Sequence, residues 1–175
     1  MKPMMHSIAW WPTLAVLVMA AAIDVRSHRI PNWLSLPFLV IGMAVSAGRG
    51  GLAGFEQSAA GVGLAVLVAG PLCYLRGMGM GDLKLCAAVG AWIGPGQLLL
   101  ALVATGIAGG FLAAGYALWY GSLGRSLDTT AELVSGFGKQ GFRPHPTITL
   151  DNAVSLKMPY APAIAMGTIF SFFTR

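Results

Sequence analysis

The chain has only six acidic residues for carboxylate chemistry, and they fall into two kinds. Glu56, Asp128, Glu132 and Asp151 lie in predicted loops or at their edges, where solvated surface is the simplest account. Asp24 instead closes one apolar run, and Asp82 opens another inside Gly77-Met78-Gly79-Met80-Gly81-Asp82. If both runs cross a membrane, the two carboxylates reach one depth on one side. Ionisable groups at membrane depth are costly and mark transport or catalysis. Two carboxylates held close cannot both ionise easily, so the pair offers a general base and a general acid together. That suits peptide-bond hydrolysis without a covalent intermediate. The ionised Asp takes a proton from water, and the protonated Asp donates to the carbonyl oxygen and then to the leaving amine.

A plainer account is that each acid pairs with a neighbouring base, Asp24 with Arg26 or Arg29 and Asp82 with Lys84. Spacing alone leaves the two accounts level. The alternating Gly77, Gly79 and Gly81 weigh towards chemistry, because glycine admits close backbone approach and an extended peptide could lie against such a segment. Irregular backbone at membrane depth requires protein or a water-filled cavity to satisfy it. A phosphate loop is excluded, since no GxxxxGK[ST] is present. No cluster has the ligand set of a zinc hydrolase, so neither metal nor cofactor is expected. Cys73 and Cys86 form no CxxC pair, and His6, His28 and His145 are scattered, with only His28 near the two acids.

Helices crossing a bilayer must position these residues. The chain of 175 residues is 56% apolar and 10% charged, with a mean hydropathy of +0.72. A soluble domain carries about 25% charged residues. Charge-free runs cover residues 7–23, 30–48, 57–75 and 158–174, each near the roughly 17–25 residues that span a bilayer. A fifth run, 85–124, is too long for one crossing, and Gly94-Pro95-Gly96 divides it. The expectation is an all-α membrane protein, a six-transmembrane-helix bundle forming one domain over 1–175. Its spans are about 7–25, 31–48, 55–75, 82–94, 96–120 and 158–174, with Pro31 in the first turn of the second. The polar segment 121–157 reads as a cytoplasmic loop with at most a short interfacial helix over 127–134. Gly90 with Gly94, and Gly106 with Gly110, are small-residue pairs expected at helix contacts.

The net charge of +5 is explained by its distribution. With the loop after Asp24 inside, Arg26, Arg29, Arg76, Lys84, Arg125, Lys139, Arg143 and Lys157 are cytoplasmic, leaving only Lys2, Arg49 and Arg175 outside. This positive-inside asymmetry places both termini outside and removes the need for nucleic acid as partner. Lys2 before an apolar run ending in Ala20-Ala21-Ala22 has the outline of a secretory signal. Against that, more positive charge follows the run than precedes it, and cleavage would strand Asp24.

Three segments together resemble the type IV prepilin peptidases, membrane aspartic proteases with a GxGD motif. They are Gly79-Met80-Gly81-Asp82 continued by Leu83-Lys84-Leu85, then Asp24-Val25-Arg26-Ser27-His28-Arg29-Ile30-Pro31-Asn32, and lastly Met158-Pro159-Tyr160-Ala161-Pro162-Ala163-Ile164-Ala165. The resemblance implies that Asp24 and Asp82 are the catalytic pair, that Gly79 and Gly81 shape the backbone beside Asp82, and that Pro31 and Asn32 fix the loop presenting Asp24. Lys84 matches a recurrent basic position, but its expected role is to snorkel to the interface. The implied substrate is a precursor pilin or pseudopilin, cut at the cytoplasmic face of the bacterial inner membrane. Larger members carry a cysteine-rich zinc segment and methylate the new N-terminus. This chain shows neither CxxC pairs nor an S-adenosylmethionine motif, and so looks like the short peptidase-only form of Flp-type, tight-adherence pili. The alternatives are a small transporter with Asp24 and Asp82 on a proton or cation pathway, and a non-catalytic assembly subunit.

Overall fold

The computed structural model describes residues 3–75, 78–119 and 160–174, and all regular structure among them is helical. Helix α1 is Pro3–Ser27, α2 is Asn32–Tyr74, α3 is Met80–Trp119 and α4 is Ala161–Phe173. The expected six helices are thereby corrected to four among the described residues. The cause is two glycines that turn the chain without a loop. Gly51 (φ 60°, ψ −140°) interrupts α2, and Gly94 (φ 75°, ψ 175°) interrupts α3. Both conformations are open to glycine and strained for any residue with a Cβ. The expected spans 31–48 and 55–75 are therefore two limbs of α2 joined at a kink, as are 82–94 and 96–120 in α3. The segment 121–157, the helix expected over 127–134, Arg76, Gly77 and the Met158-Pro159 motif residues lie outside the described residues.

The chain nonetheless reverses at each glycine. Ser46 and Ser58 both donate to the carbonyl of Ala91, at 3.3 and 2.8 Å. In a straight helix those two serines would stand about 18 Å apart. The two limbs of α2 therefore flank the first limb of α3, where Phe38 stacks on Trp92 with ring centroids 4.9 Å apart and the Trp92 indole N–H donates to the Phe38 carbonyl at 2.9 Å. The second limb of α3 runs back along α4. Gln97 Nε2 donates to the Ser171 carbonyl at 3.3 Å, Gly167 meets Ala101 and Thr105, and Tyr160 meets Gly109. Helix α1 packs mainly on α4 and touches α2 and α3 little, with Trp10 edge-on to Phe172 at 4.3 Å.

Residues 85–91 are all buried, so the first limb of α3 is the axis of the bundle. Around it Leu85, Cys86 and Val89 pack with Leu17, Leu34, Ala65, Leu98 and Ile164. The Gly90–Gly94 pair makes the expected close approach, to Gly61. Gly106 and Gly110 correct the parallel expectation: among the described residues nothing approaches within 4 Å of a Cβ built there. They point outwards, and neighbouring Thr105 and Gly109 make the contacts. Two helices, Asn32–Tyr74 and Met80–Tyr116, are long and apolar enough to cross a membrane. Leu52, Leu67, Phe111 and Trp119 are each more than 70% exposed, which is costly in water and suits lipid. The chain is a membrane protein.

Candidate active site

Asp24 lies in the last turn of α1, whose C-terminal end repels a carboxylate. Its backbone closes the helix: the His28 N–H donates to the Asp24 carbonyl at 2.8 Å, and His28 turns out at φ 51°, a left-handed conformation. Ser27 Oγ secures the exit, donating to the carbonyls of Ile23 and Arg29 at 2.8 and 3.2 Å. What offsets the unfavourable dipole is another helix. The Ala161 N–H, first in α4, donates to Asp24 Oδ2 at 3.0 Å in a buried bond. Pro162 has no N–H, and the N–H groups of Ala163 and Ile164 both reach the Tyr160 carbonyl. Ala161 thus supplies the N–H left over at the start of α4, and Asp24 receives it. Only 5% of Asp24 is exposed. Arg26 and Arg29 are both exposed, and the partner of the Asp24 carboxylate among the described residues is the Ala161 N–H.

Asp82 lies in the first turn of α3, where a carboxylate is favoured. The Gly79 carbonyl accepts the N–H groups of Asp82 and Leu83 at 3.1 and 3.3 Å, and the Asp82 carboxylate lies back against Gly79. Asp82 is half-buried, and the Asp24 loop packs beside it, with Ile30 against Gly81. The structure therefore brings the segments carrying the two acids singled out in the sequence side by side.

The motif glycines make close approaches beside Asp82. A Cβ at Gly79 would stand 3.0 Å from Asp82 Oδ2, and one at Gly81 would stand 3.2 Å from the Ile30 Cβ. Gly81 is helical, and its open face is filled by the chain's own Asp24 loop rather than left for an extended peptide. Pro31 is the N-cap of α2 (φ −72°, ψ 141°), one residue ahead of its expected place in the first turn. Its carbonyl accepts the Leu34 N–H at 3.1 Å. Lys84 neither snorkels freely nor pairs with Asp82. Its Nζ donates to Asn32 Oδ1 at 2.9 Å, joining the two motifs.

Sequence reasoning missed Ala161, whose contribution is a backbone N–H and carries no residue-type signal. It also passed over the cysteines and Tyr160. Cys73 Sγ donates to the Gly79 carbonyl at 3.5 Å. Both cysteines are free thiols. Among the described residues no three His, Cys, Asp or Glu side chains gather as a metal site. An open groove of about 470 Å³ runs beside the Asp24 loop, lined by Ile23, Ser27, Arg29, Ile30, Asn32 and Trp33 among others.

Comparison with known proteins bears on this arrangement. The sequence model of the type IV leader peptidase family matches residues 11–114, a stretch holding both acids. The chain is 33% identical over 121 residues to a prepilin leader peptidase/N-methyltransferase of Aeromonas hydrophila, covering 62% of this chain and 41% of that one. A protein of the same description from Escherichia coli (strain K12) is 33% identical over 117 residues, covering 63% and 50%. One from Klebsiella pneumoniae is 34% identical over 108 residues, covering 50% and 43%. The chain thus spans half or less of each of these relatives. No solved structure matches it.

Proposed function

The chain belongs to the type IV leader peptidase family, and on that premise we propose that it is an aspartic endopeptidase in which Asp24 and Asp82 are the catalytic pair. The observation that carries this reading is the buried Asp24 carboxylate, held by the start of α4, with its loop seated on Gly81 beside Asp82 at the start of α3. Two such carboxylates share one proton. The ionised member takes a proton from water, and the protonated member donates to the scissile carbonyl and then to the departing amine. Gly79 seats the Asp82 carboxylate, and Gly81 admits the Asp24 loop beside it. Pro31 and Asn32 shape that loop.

The proposed substrate is a precursor pilin or pseudopilin of the Flp type, with a short basic leader, a Gly before the cut and an apolar helix after it. That helix would lie in the bilayer while the leader stays in the cytoplasm, delivering the scissile bond to the depth of the pair. In this reading residues 1–175 act as one integral-membrane peptidase domain of the bacterial inner membrane. Both termini face outwards and the site faces the cytoplasm. The reading covers peptidase activity alone. A proton or cation pathway is less well supported, because buried Ser58, Thr168 and Ser171 are spent on backbone carbonyls at 2.8 Å each.

The test is cleavage by purified protein in liposomes with such a precursor. Asp24→Asn and Asp82→Asn keep size but cannot cycle a proton. Each is expected to insert normally and lose nearly all leader release, with the double variant little worse, because groups acting as one unit are non-additive. A properly inserted Asn variant cleaving near the wild-type rate would overturn the assignment.

A further inference from the structure

Asp24 is carried by α1 and Asp82 by α3, yet these two helices scarcely touch. With α1 resting mainly on α4, the separation of the two carboxylates must be set indirectly. Among the described residues three ties bear on it. The Ala161 N–H holds Asp24 from α4, Ile30 rests on Gly81, and Lys84 Nζ donates to Asn32 Oδ1 at 2.9 Å. The third is a polar side-chain bond between residues 52 apart in the chain. One partner follows Asp82 by two positions and the other opens α2 directly after the Asp24 loop.

We infer that the Lys84–Asn32 hydrogen bond is a clasp that sets the separation of Asp24 from Asp82, which makes Lys84 and Asn32 positioning residues. This rests on the function proposed above. Residues two apart on a helix do not face each other, so Lys84 is turned away from Asp82 and its ammonium is committed to the neighbouring segment. An ammonium only donates, so it fixes the Asn32 amide with its oxygen inwards. Asn32 follows Pro31, whose ring fixes φ, so the clasp grips the loop at a stiff point. Without the bond, the loop over 28–31 is held to α3 by Ile30, buried in the core and resting on Gly81, a contact that lacks the direction of a hydrogen bond. Its loss would let Asp24 shift against Asp82.

The test uses the full chain in liposomes with a basic-leader precursor. Lys84→Met and Asn32→Leu are each expected to lower kcat by on the order of ten- to a hundredfold, the scale of a small misplacement of reacting groups, with KM little changed. The double variant should be no worse than the poorer single, since both remove one bond. Lys84→Arg and Asn32→Asp keep a donor and an acceptor and should retain activity. Loosening should also draw together the two apparent pKa values of the pH–rate profile, because their gap reports coupling within the pair. The other titratable groups around it, Cys73, Cys86 and Tyr160, are unchanged in every variant, and the gap is read in Asn32→Leu, which leaves the Lys84 charge in place. Should either apolar variant fail to insert, Lys84→Ala and Asn32→Ala take its place. Wild-type kcat in the clasp variants, additive losses, or an unmoved gap between the pKa values would each overturn the clasp. Asp24→Asn and Asp82→Asn run alongside: activity in those would overturn the peptidase reading itself, whereas their inactivity beside fully active clasp variants removes the clasp alone.

Discussion

Gly79→Ala is the sharpest perturbation the structure offers. A Cβ at this position stands 3.0 Å from Asp82 Oδ2, whereas ordinary contact begins at 3.4 Å. The carboxylate must therefore retreat by about 0.4 Å, and it is the flexible end of a side chain, so it moves and the backbone stays. A misplacement of about 1 Å costs on the order of a hundredfold in rate. A shift of 0.4 Å therefore predicts a loss of about six- to tenfold, or about 1.1–1.4 kcal/mol of transition-state stabilisation. Stability should change by less than about 1 kcal/mol, since Gly and Ala differ modestly at an N-cap. The assay is steady-state leader release by the variant in detergent or liposomes, read as kcat and KM, beside thermal unfolding. The loss should appear in kcat, with KM and the melting temperature near wild type. A variant with undiminished kcat would refute the reasoning, and so would one that loses activity only by unfolding.

Three further outcomes follow from the same features. Gly51→Ala and Gly94→Ala should each cost about 1–3 kcal/mol through backbone strain, whereas Gly50→Ala, with open space around it, should be neutral within about 0.5 kcal/mol; denaturant unfolding of the three variants checks this. The pH–rate profile should be bell-shaped, because the base is lost when both carboxyls are protonated at low pH and the acid is lost when both are ionised at high pH. Initial rates across pH, with Asp24→Asn and Asp82→Asn as inactive controls, test it. Finally, two carboxylates and water suffice for the proposed hydrolysis, so leader release should survive exhaustive chelation; loss of activity restored by adding back one metal would contradict the mechanism.

Much of the site was legible in the sequence because its side chains are rare in such a chain. With only six acids in a strongly apolar sequence, a carboxylate at the edge of an apolar run is conspicuous, and Asp24 and Asp82 stand out by chemistry and depth. The alternating glycines before Asp82 were equally visible as places of close approach. Local pattern shows that Gly81 leaves space, but not that Ile30, distant in the chain, fills it. The partner of Lys84 was hidden likewise, because an amphipathic lysine at a helix start has the same local signature whether its ammonium meets solvent or Asn32.

By itself the sequence determined the solvent of this chain, its helical class, and the residues able to do acid–base chemistry. Those properties are sums over composition and short spacing, and hydropathy needs no partner to be read. It also marked Gly94-Pro95-Gly96 as a break, but could not tell a loop from a single residue turning within one continuous element, because that depends on whether the two limbs pack. Tertiary structure alone decided that the limbs of α2 straddle α3 and that residues 85–91 form the axis. It alone decided that the start of α4 supplies the N–H that holds Asp24. A backbone N–H is the same for nearly every residue type, so its placement beside one carboxylate, 137 residues away in the chain, is written only in the packing of helices.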